Sequence, residues 1–224
     1  MLLTVGISLY STRLILQALG STDFGIFNLI AGVIAMLAFL NNAMATATQR
    51  FLSFYQGKKD LTMQKKVFSN SLTLHLLIGF FIVCLLKVVE PYIFENLLNI
   101  PSDRVDSAKA VYQWMIASVF CTVLMVPFTA TLIAHENMLW VAVVGIIEVL
   151  LKRSLAFMLF AFDTDRLVIY AMGMAVVNLS SLIIYAIYSF NKFEECTTAG
   201  LMKPDMTLTK ELSSFTGWNL FGAL

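Results

Sequence analysis

Charge is scarce in this sequence. Asp, Glu, Lys and Arg together make up 13% of its 224 residues, about half the share usual in soluble domains. No basic patch with interleaved aromatics is present, so nucleic acid is not an expected partner. Histidine is rarer still: His75 and His135 stand far apart, neither with a second histidine at ligand spacing, and no metal site is expected. Cys84, Cys121 and Cys196 suggest neither a disulfide framework nor a metal cluster. The sequence has no Gly-rich phosphate loop followed by Lys, no HExxH, no CxxC and no GxSxG. No enzyme and no cofactor are therefore expected. An ATP-driven pump is not encoded, and any transport draws on a gradient, a partner or the substrate's own downhill flow. No basic leader precedes the first apolar run, so no cleavable signal peptide is expected either.

What fills the chain instead is apolar sequence: 59% of residues are hydrophobic and the mean hydropathy is +0.82. A bilayer core takes roughly 20 helical residues, and residues 25–46 meet that length without one charge. The fold class predicted is all-α, a polytopic transmembrane bundle of six spans plus the start of a seventh. The spans fall at 2–19, 25–47, 67–89, 110–134, 138–162 and 167–190, with a tight polar corner, Gly20-Ser21-Thr22-Asp23, joining the first two. The organisation expected is a lobe at 1–190, a polar linker at 191–210 and a seventh helix cut short at 211–224. Eight Lys and Arg residues flank alternate loops (Arg50, Lys58, Lys59, Lys65, Lys66, Lys192, Lys203, Lys210), against Arg104, Lys109 and Arg166 on the other side. The positive-inside rule then makes the amino terminus cytoplasmic.

Polar groups inside these runs are the candidate functional residues, because a central Arg costs about 2.5–3.5 kcal/mol on insertion scales. Arg13 shares a helical face with Gly6, Tyr10 and Gln17, and Asn42, Thr46 and Gln49 form a second polar stripe. Arg13 either faces a wet cavity or snorkels to the interface. Glu148 and Lys152 are four residues apart and can pair, leaving Arg153 as a surplus cation. These charges form a structural pair, or else a cationic lining for an anion with Glu148 as an ion-coupling carboxylate. Lys87 beside Glu90 reads as an interfacial anchor, and Pro127 should kink the fourth span.

The runs SLYSTRLILQALGSTDFGIFNLIAG, ATATQRFLSFYQGK and VPFTATLIAHENM, with Arg13, Leu19-Gly20, Asp23-Phe24-Gly25 and Arg50 as the most telling residues, resemble the polysaccharide-biosynthesis flippases. These form the O-antigen and capsule branch of the multidrug/oligosaccharidyl-lipid/polysaccharide exporter superfamily. The resemblance implies one lobe of a two-lobe, MATE-like transporter in the bacterial inner membrane. It implies flipping of oligosaccharide carried on polyprenyl pyrophosphate by alternating access, with glycan polymerase or glycosyltransferases as possible partners. Arg13 and then Arg50 are the matches to cavity arginines that hold the pyrophosphate. Gln17, Asn42, Lys152 and Arg153 are added from the reading of the residues alone. The other readings are a drug or cation antiporter using Glu148, and a non-transporting membrane partner of a glycan synthase.

Overall fold

The structure is a computed structural model. It describes residues 2–35, 38–161, 165–197 and 205–222, and the side chains of 12–35, 43–161, 165–196 and 205–218. Among the described residues there is no strand. The elements are α1 (Leu2–Ala35), α2 (Ala38–Gly57), α3 (Leu61–Tyr92), α4 (Val105–Ala134), α5 (Met138–Met158), α6 (Arg166–Lys192), α7 (Glu194–Thr197) and α8 (Met206–Gly222). A π-helical turn, Ile93–Leu97, extends α3, and 3-10 turns precede α4 and follow α5. Four segments are long and apolar enough to cross a membrane: Thr12–Ala35, Leu61–Leu97, Ser102–Ala134 and Arg166–Lys192. α5 has the length, but Glu148, Lys152 and Arg153 interrupt it, and α2 is too polar. The helix expected from residue 211 starts at Met206, and α7 lies inside the stretch read as a linker.

The corner expected at 20–23 is a break in α1 at Gly20, where φ is 82° and ψ 168°. That region belongs to glycine, because a Cβ would collide with its own backbone. Asp23 lies beside Arg104, and Arg166 donates to the Ala18 carbonyl at 3.3 Å. The corner therefore sits at the same end of the bundle as the α3–α4 and α5–α6 connections. At the opposite end, the α2–α3 and α4–α5 turns each use a residue in the left-handed region, Lys59 (φ 54°) and Glu136 (φ 56°). Asp60 and Asp165 cap α3 and α6 by accepting from Met63 N at 3.0 Å and Leu167 N at 3.2 Å.

Two apolar clusters fill the bundle. One, at the Asp23 end, gathers Ile30, Ile82, Val111, Tyr112, Ile116 and Leu167. The other, at the His135 end, gathers Leu52, Phe68, Phe128, Leu132, Phe193 and Leu208. Along α3 they are separated by a buried polar run, Ser69, Asn70, Ser71 and His75. In lipid, helices gain little from burying apolar surface and much from close packing of small residues. Gly173 of α6 illustrates this: a Cβ there would lie 2.6 Å from Leu155 Cδ2 on α5. Pro127 is absorbed within a continuous α4, with Thr131 Oγ1 donating to its carbonyl at 2.9 Å.

Gly20→Ala meets no neighbouring atom, so it tests the backbone alone. It should destabilise the protein by about 1–3 kcal/mol, read as a lowered unfolding midpoint in detergent. An unchanged midpoint would mean that the corner tolerates ordinary backbone angles.

Candidate functional site

The exposed sides of the helices differ in chemistry. On α3 the most exposed apolar residues are Leu77, Phe80, Phe81 and Val88, between 61% and 76% accessible, with Lys87 exposed toward the end of the helix. This face suits acyl chains. On the first limb of α1, Ile15, Ala18 and Leu19 pack inward, while Arg13 and Gln17 are exposed on the other side. On the second limb Asn28 and Gly32, four apart, are exposed, and Asn28 Nδ2 folds back to the Phe24 carbonyl at 2.8 Å. On α2 the exposed Thr46, Arg50 and Ser53 follow at spacings of four and three, away from buried Met44, Ala47 and Thr48. Leu16 and Leu29 are exposed beside these groups, so the exposed sides of these three helical stretches are mixed, but charge or amide occurs on each. Asn42 falls four residues before Thr46 on the α2 register. Its side chain, like that of Tyr10, lies outside those described, and nothing is described of the surroundings of Gly6.

The structure brings some expected residues together and leaves others apart. Lys152 Nζ donates to Glu148 Oε1, both side chains being partly buried. Arg153 is half-buried on the same helix. Lys87 lies 3.7 Å from Glu90 and donates to Gln113, whose amide in turn donates to Glu90 at 2.8 Å. The anchor is thus a cross-link between α3 and α4. Arg50 lies over the Phe215 ring of α8, 4.3 Å from its centroid, a cation–π contact that holds the guanidinium in place. Arg13, Arg50 and the Lys152–Arg153 pair sit on three separate elements.

Three constellations escape a reading of the sequence. The first is a clamp at the Asp23 end: Arg104 reaches Asp23 at 3.0 Å and Asp165 at 3.5 Å, and Ser107 donates to Asp165. One guanidinium so ties the α1 corner, the start of α4 and the α5–α6 connection. The second is the polar layer. Thr48 and Ser71 hydroxyls meet at 2.9 Å, and His75 Nδ1 lies 2.7 Å from the Ser71 carbonyl. Nδ1 therefore carries the proton and donates, leaving Nε2 as an acceptor with no partner among the described residues. Such an orphan costs about 1–3 kcal/mol. The third lies at the other end, where His135 is stacked on Phe193, accepts from Gln56 Nε2 at 2.9 Å and meets Glu195. Burial, and then the charge of Glu195, push the adjacent Cys196 thiol upward. Among the described residues, no three His, Cys, Asp or Glu gather as metal ligands.

No family model, no curated protein and no solved structure matches the chain.

Arg104→Ala leaves Asp23, 7% accessible at its side chain, without its counter-charge. The loss should be about 2–3 kcal/mol, below the usual figure for a broken buried pair because the Arg104 side chain is itself a third exposed. Thermal unfolding in detergent reads it, and adding Asp23→Asn should restore part of the loss. Equal midpoints for Arg104→Ala and the unaltered chain would show the clamp to be ornamental.

Proposed function

We propose that the chain is the amino-terminal lobe of a flippase that carries polyprenyl-pyrophosphate-linked oligosaccharide from the cytoplasmic to the outer leaflet of a bacterial inner membrane. In this reading the bundle makes six spans plus the start of a seventh, the break at Gly20 separating the first two and α5 counting as the fifth. The Lys-rich His135 end is cytoplasmic. The cargo serves surface polysaccharide such as O-antigen or capsule, with polymerase or glycosyltransferases as neighbours.

One observation carries the proposal. The first limb of α1 points Arg13 and Gln17 away from its own packed side, while the exposed side of α3 between Leu76 and Phe81 is apolar. Arginine facing hydrocarbon is costly, so the α1–α2 face suits a wet cavity shared with a second lobe. A pyrophosphate is a dense anion, and arginine's planar fork matches its oxygens. The resemblance of the Arg13 to Arg50 stretch to polysaccharide flippases points the same way. A cation antiporter would need a free titrating carboxylate, and Glu148 already accepts from Lys152.

The test is export of surface glycan in cells carrying Arg13→Ala, with membrane protein levels measured alongside. Loss of a charge-assisted contact worth about 1.5–3 kcal/mol lowers export roughly 10- to 100-fold. Arg13→Lys, which keeps the charge but not the fork, should retain part of it. Full export by Arg13→Ala at equal protein level would remove the cavity assignment.

A further inference from the structure

At the His135 end, the chain leaves α6 through one extended residue, Phe193 (φ −116°, ψ 123°), and enters the four-residue helix α7. α7 is pinned from three sides. Gln56 of α2 donates to His135 Nδ1 at 2.9 Å, so the ring proton sits on Nε2 and is donated to Glu195, itself 3% accessible. Phe193 stacks on the His135 ring with centroids 4.3 Å apart. Cys196 is fully buried in the apolar cluster that holds Val67 and Phe68. Beside this latch lies a cleft of about 420 Å³ lined by Gln56, Lys59, Gln64, His135, Lys192 and Glu195.

Behind it the interior is unexpectedly polar. Asn70 Nδ2, His75 Nε2, Trp140 Nε1 and Ser189 Oγ are buried in this half of the bundle with no hydrogen-bond partner among the described residues. Ser189 is one turn before Phe193 and accepts its N–H at the carbonyl, 3.0 Å away. Asn70 and Ser69 directly follow the Phe68 that shares a cluster with Cys196. Closed, the bundle forgoes four hydrogen bonds that water would supply. Held by Glu195, it stays closed.

We propose that α7 is a removable plug. Breaking the Glu195–His135–Gln56 latch lets α7 swing on Phe193 and admits water to the polar layer between the two apolar clusters, turning the interior of this half from dry to wet. The two states differ by an exchange of one charge-assisted latch for hydration of buried polar groups, so each can be populated. The proposal rests on packing and hydrogen bonding, and holds whatever the substrate is.

Thiol accessibility reads the plug directly in the full chain, reconstituted in liposomes and treated with membrane-permeant N-ethylmaleimide. With Cys84→Ser and Cys121→Ser in place, Cys196 should react slowly. His135→Phe should speed the reaction about ten-fold or more, the scale of losing one charge-assisted hydrogen bond. If His135→Phe does not fold, Glu195→Gln keeps the shape of the latch and removes its charge. Because that change also eases ionisation of Cys196, the deciding probe is Ser189→Cys in a Cys196→Ser background. The thiol introduced by Ser189→Cys is predicted to label faster, by a similar factor, in either latch variant. Labelling at position 189 indifferent to the latch, or Cys196 reacting in the intact protein as fast as in the denatured chain, would overturn the proposal.

Discussion

Hydrocarbon offers no hydrogen bonds, so every polar group carried to membrane depth must find its partner within the protein, in a ligand or in admitted water. This constraint organises the bundle. Hydroxyls of Thr73, Thr122 and Thr131 return to carbonyls one turn back on their own helices. Lys87 is tied into Gln113 and Glu90, Lys152 into Glu148, and Arg104 into two aspartates. What these internal partners leave over is informative. The exposed sides of α1 and α2 keep Arg13, Gln17, Asn28 and Arg50, and the polar layer keeps buried atoms unmatched.

How much of this was legible in the sequence follows from the range of each interaction. The Gly20 corner is written locally, because only glycine suits its angles and Ser21, Thr22 and Asp23 follow it. The Glu148–Lys152 pair and the Lys87–Glu90 anchor obey one-turn spacing and were equally readable. Three apolar runs, those of α3, α4 and α6, gave helices of membrane length. The second and fifth runs are less plain. α2 is diluted by amides and hydroxyls, and α5 carries three charges. The clamp of Arg104 on Asp23 and Asp165 was invisible, since no spacing rule links residues on three separate corners. The latch was hidden for the same reason: Gln56, His135 and Glu195 come from α2, a turn and α7. A polar stretch with two glutamates reads as a linker, while burial of Glu195 depends on a histidine 60 positions earlier. The sequence marks His75 only as a poor metal ligand. Its role in the Thr48–Ser71 network needed the packing of α2 against α3.

The two ends of the bundle are built differently. At the Asp23 end, one arginine braces three corners over a wholly apolar cluster, an arrangement suited to staying shut. At the His135 end, a four-residue helix covers orphaned polar atoms beside an open cleft. A device that alternates between sealed and open would place its moving part at the second. Arg50 belongs to that half as well, held on Phe215 of α8, so a change in α8 would be felt at a cation on the α2 face.

Under the proposed function, the polar exposed sides of α1 and α2 meet water while the exposed side of α3 meets lipid. Spin labels placed singly at Asn28, Thr46 and Ser53, and at Leu77, Phe81 and Val88, measure this directly in liposomes by collision with a water-soluble relaxant and with oxygen. The first three positions should favour the water-soluble relaxant and the last three oxygen. Oxygen preferred equally at all six would mean that both faces lie against acyl chains, and the cavity would not exist.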